Sequence, residues 1–187
     1  MDIFAHALWT GAAARVVNKK IVAGETGGAH VRPINIRWAI FWGVVPDFFA
    51  FTIPFAVLAF KLISGTAAPG DIPHPGIVEP ANPPVVRLFA YTRLLYSISH
   101  SAIIFLIAFG IVFLIIRRPP IAMLAWLLHL LIDIPTHSYQ FYPTPILWPI
   151  SSWQFNGISW ATPWFMAVNY GALALIYFFL FLRKTAT

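Results

Sequence analysis

His129-Leu130-Leu131-Ile132-Asp133-Ile134-Pro135-Thr136-His137 sets three ligand-type side chains at four-residue steps in an otherwise apolar segment. At 3.6 residues per turn, His129 and Asp133 share one helix face. Pro135 is expected to end the helix and leave Thr136 and His137 to its exit. The flanking Leu127, Leu128, Leu130, Leu131 and Ile132 suit a lipid-facing or core-facing helix. A carboxylate among them is costly unless it is paired or bound to a metal.

The rest of the chain has the same character. Of 187 residues, 59% are hydrophobic, 17% aromatic and only 10% charged, and the mean hydropathy is +0.77. That is the composition of an integral membrane protein, and the length suits one membrane domain over residues 1–187 with no sizeable soluble domain. The net charge of +6 does not point to nucleic acid, because Lys and Arg are scattered at the ends of apolar runs instead of forming a stripe. The absence of cysteine excludes disulfides and thiolate metal sites.

In chain order, Met1 to Val17 has neither a basic start nor a small-residue cleavage site, so it is expected to remain in the mature protein. At about 15 residues its apolar part is marginal for a full span. Asn18 to Arg37 reads as a hydrophilic loop. Ile36 to Ile63 is long enough to span, but Pro46-Asp47 is expected to kink or break it. Ser64 to Pro84, rich in Pro and Gly, reads as a loop outside the bilayer.

Val85 to Ile116 reads as one long helix whose apolar half, from Leu94, crosses the membrane. Arg117-Arg118-Pro119-Pro120 is a tight turn, and Ile121 to Ile134 returns as a helix too short to span unaided. Pro135 to Thr162 carries Tyr139, Tyr142, Trp148, Trp153 and Trp160 and no Lys or Arg, the composition of a loop lying in the membrane interface. Thr162-Pro163 reads as an N-cap and first position for a final helix, Trp164 to Leu182, closed by Arg183-Lys184. The expectation is an all-α polytopic bundle with about four or five membrane-inserted helices.

If the basic stretches are cytoplasmic, only Lys61, Arg87 and Arg93 fall on the other side. The N-terminus, the Pro-rich loop and the aromatic loop then lie outside. His6 and His100 lie a turn or two in from the outer face, and Asp47, His129 and Asp133 lie about ten residues in from the inner one. All five can meet in the outer half of the bundle. His30 and His74 fall in hydrophilic loops and read as solvated.

Imidazoles and carboxylates at such spacing suit Zn²⁺ or a similar divalent ion, which offsets the cost of burying the charge. With one position left open, such an ion acidifies water and polarises an ester or phosphoryl oxygen. The expected metal set is His6, Asp47, His100, His129 and Asp133. Asp47 or Asp133 would take the proton of the attacking water, and His137 would protonate the leaving group. Ser99, Ser101, Thr136 and Tyr139 could fix the ring tautomers. No nucleophile elbow, phosphate loop or dinucleotide fingerprint is present. The alternatives are a non-enzymatic protein that carries divalent metal or protons through the same residues, and a structural metal that pins short helices together.

Val45-Pro46-Asp47, Ser99-His100-Ser101, His129-Leu130-Leu131-Ile132-Asp133 and Pro145-Ile146-Leu147-Trp148-Pro149, after an early His6, resemble the membrane-bound metal-dependent hydrolases of the LexA-regulated inner-membrane family. The resemblance runs from the N-terminus to near Trp160. The order of the motifs is also similar to zinc-dependent phospholipase C and the nuclease P1 enzymes, helical proteins that hydrolyse phosphoesters with a zinc cluster. It implies hydrolysis of a phosphoester or related ester, in a small molecule or a membrane lipid, at a prokaryotic inner membrane. It also implies one zinc on Asp47, His100, His129 and Asp133, with Asp133 able to bridge to a second near His6. Family members often follow Pro-Asp with a second Asp and a His, where this chain has Phe48-Phe49-Ala50. They often place His-Arg-Gly where this chain has Leu95-Tyr96-Ser97. One or two ions are therefore implied, not three.

Overall fold

A computed structural model describes residues 1–24, 32–68 and 83–182, with the backbone alone over 83–90. Every regular element among them is helical: α1 Ile3–Val22, α2 Ile36–Ile63, α3 Pro83–Ser99, α4 Ala102–Ile116, α5 Leu124–Thr136 and α6 Pro163–Leu182, with a single 3₁₀ turn at Ile121–Met123 before α5. The expected solvation of His30 and His74, most of the Pro-rich loop, and the closing Arg183-Lys184 lie outside the described residues.

α2 is the axis of the bundle and packs against α1, α3 and α5, while α6 lies along the other side of α1. The α1–α2 contact is close because α1 turns Ala5, Thr10, Gly11, Ala12 and Ala14 inward and α2 answers with Gly43. A Cβ on Gly43 would come within 2.4–2.8 Å of the Thr10 side chain, so only glycine admits this approach. Phe105, Met123, Trp126 and Leu130 form an apolar cluster between α4 and α5. Phe51, Tyr96 and Tyr142 form another between α2, α3 and the loop after α5.

The helices differ from the sequence reading in several places. Asn18–Val22 belongs to α1 instead of a loop: Lys19 and Lys20 suit a last helical turn, where exposed carbonyls favour cations. The Asn18 amide ties back the far end of the connection by bonding Ile34 O at 2.8 Å and accepting from Ile34 N at 2.6 Å. α2 runs unbroken through both Pro46 and Pro54; proline removes one N–H, and helix neighbours make that tolerable in apolar surroundings.

The expected continuous helix from Val85 starts at Pro83 and is instead broken at His100-Ser101, with α3 and α4 bent by 57°. Ser101 caps the new helix by accepting from Ile103 N at 3.1 Å and Ile104 N at 3.3 Å, the role its residue type favours. Pro135 sits inside the last turn of α5, which runs one residue further to Thr136. Helix α6 starts at Pro163 as expected, but the Thr162 hydroxyl donates to Ser159 O at 2.9 Å.

α2 and α6 are each long and apolar enough to cross a membrane, and the bent α3–α4 pair makes a third span if it is counted as one. α1, with Lys19 and Lys20 in its last turn, is not among them, and Ile121–Thr136 is a shorter apolar helix.

The loop after α5 is irregular but anchored. Gly157 N, Ile158 N and Trp160 N donate to the carbonyls of His137, Pro135 and Thr136 at 2.8–2.9 Å. They satisfy helix-end acceptors that would otherwise lack partners.

Candidate metal centre

Helix periodicity puts His129 and Asp133 one turn apart on the buried face of α5, both fully inaccessible. Asp47 comes from the middle of α2, and His100 from the break between α3 and α4, where the chain bends and exposes the ring to the bundle interior. One ligand atom from each of these four residues can be chosen so that all lie within 4.8 Å of one another.

Backbone carbonyls orient the two rings of this set. His129 Nδ1–H donates to Gly43 O at 2.8 Å. Tyr96 O accepts from His100 Nδ1–H at 3.2 Å, with the Ser99 hydroxyl 2.9 Å from the same nitrogen. With each ring neutral and its one proton on Nδ1, as metal binding requires, both Nε2 atoms present lone pairs. Those two atoms face each other at 3.0 Å.

Around them lie only more acceptors. Asp133 Oδ2 is 3.2 Å from His129 Nε2 and 3.3 Å from His100 Nε2. Asp47 Oδ1 is 3.5 Å from His100 Nε2 and 3.8 Å from His129 Nε2. Asp47 Oδ2 and Asp133 Oδ2 are buried without a hydrogen-bond partner among the described residues. Ligands tetrahedrally arranged about zinc at roughly 2.0–2.1 Å stand roughly 3.3 Å apart, a spacing bracketed by the separations here. The donor set therefore fits a divalent ion, and buried Asp47, His100, His129 and Asp133 could hold one.

His6 and His137 approach Asp133 from its other oxygen. His6 Nε2 lies 2.9 Å from Asp133 Oδ1 and His137 Nε2 lies 3.4 Å from it. The Met1 nitrogen also meets Oδ1 and lies 2.7 Å from His137 Nε2. His6 stacks on His129 with ring centroids 3.6 Å apart; its hydrogen bond to Asp133 is made from Nε2, and its Nδ1 meets no partner among the described residues. His137 Nδ1–H donates to Tyr142 O at 2.8 Å, which turns Nε2 toward the cluster. Burial holds this imidazole, beyond the end of α5, below its ordinary range.

The structure thus gathers every residue singled out as a ligand or catalytic group, in two sets on the two oxygens of Asp133. Of the four proposed to orient the rings, only Ser99 reaches one. Ser101 Oγ caps α4 and bonds Trp148 O, Thr136 Oγ1 donates to Ile132 O at 2.9 Å, and Tyr139 OH donates to Gln154 O at 3.1 Å.

Among the groups that sequence reasoning missed are Tyr96 and Gly43. Tyr96 stacks on His100 at 3.6 Å and holds its hydroxyl 3.2 Å from His137 Nδ1; its position four residues before His100 on one helix was the available signal. Gly43 acts through its backbone carbonyl, for which a sequence gives no sign.

Two cavities border this region. One, of about 310 Å³, has Asp47, His137, Phe51, Phe55, Phe141 and Trp160 in its lining. The other, of about 290 Å³, is polar, with Arg93, Tyr96, Ser97, Tyr139, Gln140 and Gln154.

Fold and site together define a helical protein with helices able to cross a membrane and a buried His/Asp cluster able to hold a metal ion. Comparisons with protein-family models, curated proteins and solved structures gave no match.

Proposed function

We propose that this protein is a membrane-embedded, metal-dependent hydrolase that cleaves a phosphoester or related ester. The observation that carries the reading is the pair of imidazole Nε2 atoms facing each other at 3.0 Å beside two buried carboxylates. The metal is of the zinc type, held by Asp47, His100, His129 and Asp133. The arrangement of His6 and His137 on the second oxygen of Asp133 supports a second ion there. The setting is a prokaryotic inner membrane, with four or five of the helices inserted.

Zinc-type chemistry supplies an acidified water and a polarised substrate oxygen. The residues then divide the proton work. Asp47 borders the apolar cavity and has an unpartnered Oδ2, so it takes the proton of the attacking water as that oxygen bonds to phosphorus or to an acyl carbon. The ester bond breaks, and the proton that Asp47 took from the water is passed to the leaving oxygen through His137 Nε2, the atom turned toward the site, while Nδ1 keeps its own proton directed at Tyr142 O. Water is consumed, and an alcohol and an acid or phosphomonoester result.

A compact set of donors favours a bound ion over a file of groups passing metal or protons from face to face, the non-enzymatic alternative. The test is metal analysis of the purified protein beside His129→Ala and Asp133→Ala. Wild type should carry a divalent ion that both variants lose. Metal-free wild type, or variants with wild-type content, would refute the reading.

A further inference from the structure

We infer that the substrate is a membrane amphiphile whose hydrocarbon chain lies in the cavity between the start of α1, the middle of α2 and the loop after α5. This rests on the hydrolase reading and names its substrate class. The walls are Phe4, Phe51, Phe55, Phe141 and Trp160 with the aliphatic Met1 and Ile3, and the polar side chains in the lining are Asp2, Asp47 and His137; the Met1 nitrogen is taken up by Asp133 and His137. Asp2 is already engaged, accepting from Ala5 N at 3.0 Å and Tyr170 OH at 2.8 Å. The polar side-chain atom left to meet a ligand is therefore Asp47 Oδ2, with His137 beside it in the lining; both residues also belong to the metal-ligand and proton-transfer set. A molecule in this cavity has an apolar environment along its length and meets reactive groups at one end.

The position of the mouth selects the source. Phe55 is 43% exposed, and Phe48, Phe49 and Ile53 beside it on α2 are about half exposed or more. α2 is long and apolar enough to cross a membrane, so hydrocarbon, not water, surrounds this face. A polar, water-borne substrate would have to leave water to enter here. A lipid already in the membrane slides its chain between aromatic walls without that cost.

At about 310 Å³ the cavity is at the small end of ligand sites. It takes one chain, with the rest of the amphiphile outside. The polar cavity near Arg93 has none of the proposed metal ligands in its lining and does not offer the scissile bond the same approach. Cleavage follows the balance given above: water oxygen adds to phosphorus or the acyl carbon, and the ester oxygen leaves with a proton.

The experiment uses purified full-length protein in detergent, its metal content measured in the same sample, and a phosphatidic acid carrying a photoactivatable diazirine in one acyl chain. Cross-links should map to the peptides holding Phe51, Phe55, Phe141 or Trp160, and excess unlabelled phosphatidic acid should suppress them. Glycerol 3-phosphate, which has the same phosphomonoester head without the long chains, should not. Ile3→Trp, which fills the cavity from a half-buried position, should abolish those cross-links with metal retained. Should that variant fail to fold, the wild-type map and its competition decide alone. Metal-loaded protein labelled only on the outer faces of α4 and α6, or labelled without competition, overturns the lipid-chain inference and leaves the hydrolase reading standing. Wild type that carries no metal overturns the hydrolase reading itself.

Discussion

Gly43 O lies 2.8 Å from His129 Nδ1, so the backbone of α2 sets the tautomer of a ring carried by α5. Gly43 comes three residues before Pro46, in the turn where proline takes one N–H out of the helix. The same glycine gives α1 its close approach, since its Cα faces Thr10. One residue thereby couples the α1–α2 packing that carries His6 to the orientation of His129.

Gly43→Ala tests this coupling. The added Cβ would sit 2.4–2.8 Å from Thr10, too close to be absorbed without moving a helix. Overpacking of this kind costs about 1–3 kcal/mol. Thermal unfolding should shift down by that amount, and metal affinity should fall with it as His129 loses its acceptor. Gly43→Ala combined with Thr10→Gly, which removes all three of those contacts, should recover much of the metal affinity.

Removing the ion should destabilise the fold. Without a cation, the two buried carboxylates Asp47 and Asp133 lose the charge that balances them. A ligand that binds only the folded state at about 100 times its dissociation constant contributes roughly 2.7 kcal/mol. Chelation should therefore lower the melting temperature, and adding zinc should restore it. Because binding needs neutral imidazoles, occupancy should decline as pH falls and protons compete for Nε2. Measured metal content that stays flat from neutral to acid pH would argue against histidine ligation.

The parts of this arrangement that the sequence displayed were those governed by a local period. His129 and Asp133 are one turn apart on α5, and a buried face follows once the neighbouring positions are Leu and Ile. The break at His100-Ser101 was hidden because Ala102–Ile116 is so apolar that it reads as continuous with what precedes it, although Ser101 is a sound cap. Pro46 misled in the opposite sense: propensity against proline was overridden by packing on α1, α3 and α5. Roles played through carbonyls, as by Gly43 and Tyr142, depend on tertiary approach and leave no trace in residue type.

Tyr96 separates two contributions. Tyr96→Phe keeps the ring stacked on His100 and removes only the hydroxyl near His137 Nδ1 and Thr144. Loss of one such bond costs about 0.5–1.5 kcal/mol, and metal content should be unchanged. Tyr96→Ala removes a fully buried ring and should cost about 3–5 kcal/mol. His100 then loses its stacking partner, and a lower metal affinity by titration is the expected reading. Equal metal affinity in both variants would show that the stack does not position His100.

Gly157→Ala addresses the exit of α5. A Cβ there would lie 2.3 Å from Pro135 O and 2.8 Å from His137 O, both backbone atoms that cannot swing aside. The segment must lift, and the bonds from Gly157 N, Ile158 N and Trp160 N to the last carbonyls of α5 go with it. His137 belongs to that exit, while His129 and Asp133 sit further back in the helix and are held by Gly43 and His6. The substitution should therefore speed amide exchange at Gly157, Ile158 and Trp160 and lower stability by about 1–3 kcal/mol. Metal on Asp47, His100, His129 and Asp133 should be retained, and any hydrolysis that needs His137 should be lost. If metal leaves together with the loop, His137 and its surroundings hold the ion in place as well as serving the leaving group.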